Sequence, residues 1–375
     1  MRFISLQENL KRGLNIVGHI TSKNINLPIL NNILIKTEGG NIEFVSTNLE
    51  IGVVHQVRGK IESEGQFTVD SKLITEYVNL LSSGEKVKIE EKDGELRVES
   101  GNYKTKIKGE SAKEFPLIPT IPKNNPYICK IEELKKALNG VVFAVSTSEN
   151  RMELTGVLFS FNKKQLSLAA TDSYRLAERE LGFIGEELNS EVKIIVPAKT
   201  VQELLRVLNS FDGLGETENA QEVKIYLSEN QILFTVDSVD LISRLINGHY
   251  PDYKQIIPVK TQTDTLIERT ELIRAVKAAA LFSKTGINDI TLRFFKSKII
   301  VSSFSGASGE SEVELEAETK GIDNEITINY RYLLDGLNNI EGERVKIGVI
   351  NSTTPCLLKS EKENGYLYIV MPIRQ

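Results

Sequence analysis

Three short runs carry the chemistry most readily read from this 375-residue sequence. Val69-Asp70-Ser71-Lys72, Val196-Pro197-Ala198-Lys199 and Ile328-Asn329-Tyr330-Arg331 each place a cation two residues past Asp, Pro or Asn, residues suited to opening a helix. A cation there works against the helix dipole by ~0.3–1 kcal/mol. Either the first turn tolerates it in water, or three equivalent helices aim positive charge at one polyanion. Lys11 and Arg12, Lys135 and Lys136, and Arg274 and Lys277 repeat the theme on three further helical stretches. Such a surface tracks phosphates and reads no bases, because no aromatic-rich basic element accompanies it. Covalent chemistry is harder to find. The sequence has no P-loop, no GxGxxG after a strand and no HExxH, and Gly306-Ala307-Ser308-Gly309 lacks the glycine placement of a nucleophile elbow. His19, His55 and His249 have no nucleophile or carboxylate at motif spacing and read as ordinary surface or loop histidines. Cys129 and Cys356 build neither a disulfide framework nor a zinc cluster and read as small core or edge residues. No metal or cofactor is expected. The enzymatic alternative is a site assembled across domains around Asp172, Tyr174 and Arg175.

The elements that must position those cations recur. The three runs lie 127 and 132 residues apart, and each is followed by helical spacing: Leu73, Tyr77, Leu80 and Leu81; Val201, Leu204, Leu205 and Leu208; Leu333, Leu337 and Ile340. A strand meander follows each helix. The first is Val87–Ile89, an Asp93-Gly94 tip, Leu96–Val98 and Tyr103–Ile107; the second pairs Val223–Leu227 with Ile232–Val236, and the third Val345–Val349 with Tyr366–Met371. An earlier helix opens every copy. Ser5-Leu6-Gln7-Glu8 reads as a capping box before Leu6, Leu10, Leu14 and Val17. Its counterparts are Leu134, Leu138, Val141 and Val145, then Leu272, Val276 and Ala279 or Ala280. Strand pairs follow: Ile33–Ile35 with Ile42–Val45, Val157–Phe159 with Leu166–Ala170, and Thr291–Phe295 with Ile299–Ser302. The expectation is an α+β chain of three tandem helix-strands-helix-strands units of about 125 residues, over 1–122, 127–257 and 262–375. Phe115-Pro116-Leu117-Ile118-Pro119-Thr120-Ile121-Pro122 and Pro251–Pro258 are too proline-rich for a sheet interior and are expected to run extended over the surface between copies.

Composition bounds the rest. Charged residues are 26% and apolar ones 40%, which excludes a disordered chain. No apolar stretch approaches a membrane span, and the N-terminus has no secretory pattern, so a cytoplasmic protein with no membrane partner is expected. A net charge of −5 argues against holding nucleic acid by bulk charge, leaving a basic surface on an acidic body.

Taken in order, Leu27-Pro28-Ile29-Leu30, Thr47-Asn48-Leu49-Glu50, Phe115-Pro116, Thr171-Asp172-Ser173-Tyr174-Arg175-Leu176-Ala177, Tyr250-Pro251-Asp252-Tyr253, Tyr332-Leu333-Leu334-Asp335 and Val370-Met371-Pro372-Ile373-Arg374 resemble the bacterial DNA polymerase III beta subunit family, the sliding clamps, over the whole length. The resemblance implies a non-catalytic ring: a head-to-tail homodimer of three-domain protomers, helices lining the hole and antiparallel sheets outside. It implies sequence-independent encirclement of double-stranded DNA and tethering of the replicative polymerase, with a clamp-loader ATPase to open the ring. It also implies a pocket for short peptide motifs of polymerases, loader and repair proteins. Matching pocket positions are Arg151, Leu154, Thr171, Ser173, Tyr174, Arg175, Leu176, Pro251, Ile256, Asn329, Tyr332, Ile369, Met371, Pro372, Ile373 and Arg374. DNA-facing positions are Lys23, Asn24, Lys72, Ser148 and Lys199, and interface positions are Tyr103, Thr105, Ile107, Leu281 and Phe282. Ser173-Tyr174 stands where many members carry Gly-His, Glu153 where an aromatic is common, and Gln255 where a base is common. The alternatives are a peptide-binding scaffold without a DNA role, and the enzyme above.

Overall fold

A computed structural model describes residues 1–21, 26–184, 191–211, 221–362 and 364–373. Among these are six α-helices: α1 (Gln7–Gly18), α2 (Ser71–Leu80), α3 (Ile131–Val142), α4 (Ala198–Asn209), α5 (Arg269–Ala280) and α6 (Tyr330–Asn339). The cations Lys72, Lys199 and Arg331 each occupy the second position of a helix, as their spacing predicts. Asp70 caps α2 by accepting from the Leu73 N–H at 2.7 Å, and Asn329 caps α6 by accepting from the Arg331 N–H at 2.9 Å.

Three expectations of local structure fail, each for a physical reason. Ser5 does not cap α1. It lies in the strand Arg2–Leu6 and its hydroxyl donates to the Arg58 carbonyl at 2.5 Å, leaving Leu6 at the cap without a side-chain bond. The apolar stripe read on α2 is right at Leu81 and wrong before it: Ile74 and Val78 are buried with Leu81, while Leu73 and Leu80 are 51% and 78% exposed. In the third meander the strand Cys356–Ser360 comes between Arg344–Val349 and Tyr366–Val370. The first meander is as expected, with Asp93 and Gly94 at φ of 59° and 76° making its tip.

The chain divides into two compact units, residues 1–131 with 202–245 and residues 132–201 with 246–375. The first unit holds a thirteen-stranded sheet. Its order runs from Tyr127–Lys130 through Glu222–Leu227, Gln231–Val236 and Val239–Arg244, crosses to Ile51–Val57, Asn41–Thr47, Asn32–Glu38 and Gly65–Asp70, and continues through Tyr103–Glu110 to Lys60–Ser63. The second unit holds a nine-stranded sheet, in which Arg175–Gly182 pairs with Tyr366–Val370, and a four-stranded sheet with Gly309–Glu316 at one edge. Within the first unit α1 packs on α2, and within the second α5 packs on α6. Alternating strand residues such as Phe44, Phe159, Phe234 and Phe294 are fully buried.

The proline-rich segments do more than run over the surface. Phe115, Ile121 and Tyr253 are buried, each serving as an apolar key against a sheet face. His55 is likewise no surface histidine; it is 4% exposed within Ile51–Val57. Cys129 and Cys356 form no disulfide and are fully buried, and burial pushes the Cys356 thiol up to about 12, so Cys356 is an inert apolar filler.

Candidate functional site

The turn from Thr171 to Arg175 is built by side chains bonding to its own backbone. The Thr171 hydroxyl donates to the Arg175 carbonyl at 2.6 Å and accepts from the Ser173 N–H at 3.1 Å. Asp172 Oδ1 accepts from the N–H groups of Tyr174 and Arg175 at 2.9 and 3.0 Å. Ser173 sits at φ 80°, a left-handed position that the closed turn imposes. The result throws Tyr174 outward, 63% exposed, and Arg175 inward.

Arg175 donates from all three of its nitrogens. Its Nε donates to Asp172 Oδ2 at 3.0 Å, its Nη1 donates to Asp335 Oδ2 on α6, and its Nη2 donates to the Phe143 carbonyl at 2.8 Å. The guanidinium also lies 4.7 Å from the Tyr332 ring centroid and 5.6 Å from that of Phe143. With its side chain 12% exposed, Arg175 is a clamp between the turn and α6. Tyr174 stacks on Tyr332 at 6.5 Å, and its carbonyl accepts from the Met371 N–H at 2.8 Å. Arg151 donates from Nε to Glu153 at 2.9 Å and from Nη1 to the Ser173 hydroxyl at 3.2 Å. Behind the turn, the Tyr250 hydroxyl accepts from the Thr171 N–H at 3.1 Å.

The structure therefore brings Arg151, Thr171, Ser173, Tyr174, Arg175, Tyr332 and Met371 together through direct contacts. Pro251, Asn329, Pro372 and Ile373 are half-buried and Ile256 is 40% exposed. Leu154, Leu176 and Ile369 are almost wholly buried and belong to the core beneath. Arg374 lies outside the described residues. Two contributors had no sequence signal pointing to this site, Phe143 through its carbonyl and Glu178, which takes the Tyr253 hydroxyl; Tyr250, which contributes its hydroxyl, stood in the recognised Tyr250-Pro251-Asp252-Tyr253 motif. Asp335 stood in a recognised motif, but its role depends on the approach of α6.

The same turn occurs a second time. Thr47 donates to the Ile51 carbonyl at 2.9 Å and accepts from the Leu49 N–H at 3.0 Å, Asn48 accepts from the N–H groups of Glu50 and Ile51, and Leu49 sits at φ 75°. After each turn the next strand pairs with a late strand: Ile51–Val57 with Val239–Arg244, and Arg175–Gly182 with Tyr366–Val370. Even the flanking bond repeats, since the Arg244 N–H donates to the Glu50 carbonyl as that of Met371 does to Tyr174.

Among the strand edges left open in the described residues, two belong to the strands equivalent to those of the completed seams. Tyr103–Glu110 pairs on one side along its length, but on the other only Gly109 and Glu110 pair, with Val69 and Thr68. Gly309–Glu316 pairs only with Lys298–Ser305. The first edge shows Lys104, Lys106 and Lys108 exposed, the second Glu310, Glu312, Glu314 and Glu316. Tyr103 is 57% exposed, Thr105 half-buried and Ile107 buried in its own sheet, so Ile107 offers a partner its backbone alone. Leu281 is 77% exposed and Phe282 half-buried at the end of α5.

Of the DNA-facing candidates, Lys72 is exposed and 3.8 Å from Glu76, and Lys199 is exposed. Ser148 caps a short turn by accepting from the Asn150 N–H at 3.4 Å. Lys23 and Asn24 lie outside the described residues. Several helix cations are already paired, Lys136 with Glu341 at 2.5 Å and Arg274 with Glu271 at 3.1 Å.

Sequence profiles of the DNA polymerase III beta subunit match along the chain: the N-terminal domain over residues 1–119, the central domain over 129–252 and the C-terminal domain over 254–374. The chain belongs to this family. Beta sliding clamps of Staphylococcus aureus and of a Synechocystis species are each 26% identical to it, covering 100% of this chain and 99% of theirs. The crystal structure of the Bacillus subtilis DNA polymerase sliding clamp superposes with a TM-score of 0.92 at 26% identity, covering 100% of this chain and 99% of that one. A Pseudomonas aeruginosa sliding clamp bound to griselimycin superposes at 0.93 and 26%, covering 100% of both chains. The fold is the three-domain sliding-clamp fold. Sliding clamps are non-catalytic processivity factors, so Asp172, Tyr174 and Arg175 are no reacting centre. The Asp172 carboxylate is occupied in the turn and on Arg175. Among the described residues no group of His, Cys, Asp and Glu could hold a metal ion, and no helix is long and apolar enough to cross a membrane.

Proposed function

We propose that two copies of this chain close head to tail into a ring around duplex DNA and carry the replicative polymerase along it. The observation that supports this most is a repeated seam with one instance left open. Two turn-and-strand seams are completed within the chain, and one edge of each kind is left over, Gly309–Glu316 and Tyr103–Ile107. Their exposed charges are opposite. A leftover complementary pair on one chain makes a heterologous contact, which must either close or grow into a fibre. The helices agree. Aligned on Lys72 and Lys199, α2 shows Leu73 and Leu80 exposed where α4 has Thr200 and Val207 at 0% and 1%. That face of α2 is finished in one module and open in the other, and Leu281 with Phe282 is the apolar surface suited to cover it.

In this reading the modules span 1–122, 127–257 and 262–375, and the ring works in the cytoplasm with the chromosome. Lys72, Lys199 and Ser148 face the duplex. Weak phosphate contacts suffice, because a closed ring leaves only by opening, and a tethered polymerase gains effective concentration at the primer end. A loader ATPase opens the ring. The cluster around Thr171–Arg175, Tyr332 and Met371 takes short peptides from polymerase, loader and repair proteins, its apolar floor holding side chains and its turn carrying polar groups.

The deciding experiment is retention on a nicked circular plasmid after loading. A ring stays on the circle and escapes when the plasmid is linearised. Equal loss from both forms would leave the scaffold without a DNA role as the better account. Leu281→Asp with Phe282→Asp is expected to yield monomers by light scattering; an unchanged dimer would place the interface elsewhere.

A further inference from the structure

The two completed seams share one construction and differ in one place. The segment after each module lies against its seam: Phe115 and Ile118 pack with Val45 and Val54 at the first, Tyr250 and Tyr253 with Ala169 and Leu176 at the second. Tyr250 precedes Pro251 as Phe115 precedes Pro116, Tyr253 stands where Ile118 does, and Glu178 lies three residues past its turn as Val54 does past the other. At the first seam the three matching positions, Phe115, Ile118 and Val54, are all apolar. The second holds two phenols and a carboxylate in the same space, with Tyr253 and Glu178 only 7% and 8% exposed.

Those polar groups are costly there. Burial pushes the Glu178 carboxyl and both phenols upward from their ordinary ranges. An apolar set of similar volume already packs the equivalent place in the same chain, so stability gives no reason for the exchange. The difference coincides with the peptide pocket, and its hydrogen bonds lead there. We propose that Tyr250, Tyr253 and Glu178 are positioning residues of that pocket: the Tyr250 hydroxyl accepts from the Thr171 N–H at 3.1 Å, the Tyr253 hydroxyl donates to Glu178, and together they set Pro251 and Ile256 against the Thr171–Arg175 turn. The two rings meet edge to face at 6.5 Å and 87°, so a shift of one is passed to the other. This inference rests on the reading of the cluster as a ligand pocket.

The test replaces the polar set by the residues of the first seam: Tyr250→Phe, Tyr253→Ile and Glu178→Val in the full chain. Griselimycin, the peptide-site ligand of the similar Pseudomonas aeruginosa clamp, serves as probe, with its affinity measured by calorimetry beside the thermal midpoint and solution mass. The expected result is an unchanged or higher midpoint, an intact dimer, and griselimycin bound at least about tenfold more weakly. Tyr250→Phe alone removes one oxygen and is expected to weaken binding about fivefold, which decides the matter should the triple variant not fold. Unchanged affinity in the folded variants overturns the proposal. Failure of the unsubstituted chain to bind griselimycin overturns instead the pocket reading on which it rests.

Discussion

At the scale of single residues, the most informative groups are polar ones in apolar places. His55 lies beneath Gly13 of α1, where an added Cβ would come within 3.0 Å of its Nδ1, and beside Phe44. Burial, helped by the Arg12 cation and opposed by Asp237, pulls its pKa down to about 4. The folded chain thus holds His55 neutral while the unfolded chain binds a proton near 6.5. Its stability is fully present above about pH 6.5 and falls toward pH 4, by roughly 3 kcal/mol for a shift of this size. His55→Gln should flatten that part of the pH–stability profile, read by hydrogen exchange in Ile51–Val57; an unchanged slope would assign the dependence to another group. Arg175 makes the opposite case, a charge kept by its partners. Removing it as Arg175→Ala strands Asp172, Asp335 and the Phe143 carbonyl, at a cost of about 3 kcal/mol. Arg175→Lys should recover little, because one ammonium cannot replace a planar fork serving three acceptors. Full recovery by lysine would show that charge alone matters there.

At the scale of elements, the repeat explains itself through what each copy covers. The turn at Thr47 and the turn at Thr171 use the same side-chain bonds because Thr-Asx followed by a left-handed residue closes only one way. The residue just past each turn differs: Gly52 leaves space that the Ile118 side chain enters, whereas Leu176 fills its own. The open edges belong to this scale too. In the proposed ring, lysines on Tyr103–Glu110 meet glutamates on Gly309–Glu316, so the dimer's dissociation constant should rise by about tenfold or more between 0.05 and 1 M NaCl. Sedimentation across that range measures it, and a salt-independent constant would leave the apolar α2 face to hold the dimer alone. Leu80→Asp on that face is expected to weaken the dimer by at least ~1.5 kcal/mol, the value of one buried leucine.

At the scale of the whole molecule, a chain of net charge −5 is asked to hold a polyanion. Pairs such as Lys72 with Glu76 and Lys136 with Glu341 already neutralise part of the positive surface. The proposed encirclement would make that acceptable, since a ring needs little grip. Binding of linear duplex should therefore be weak and lose little more as salt rises, while retention on circles persists; tight binding to short linear duplex would contradict it.

The three helix starts, the α+β repeat and the first meander were legible in the sequence, because caps, hairpin tips and periodicities are local and each residue carries its own conformational preference. The family resemblance added the pocket positions. Which stripe of α2 is buried was not legible: Leu73 and Ile74 are both apolar, and only the neighbour that covers a face decides between them. The same holds for Arg175, whose partners arrive from α6 and from the end of α3, and for Tyr250, whose hydroxyl meets a backbone N–H 79 residues away. Local order is written in neighbouring residues. Burial, ion pairing and the open edges are properties of surfaces that meet only once the chain has folded.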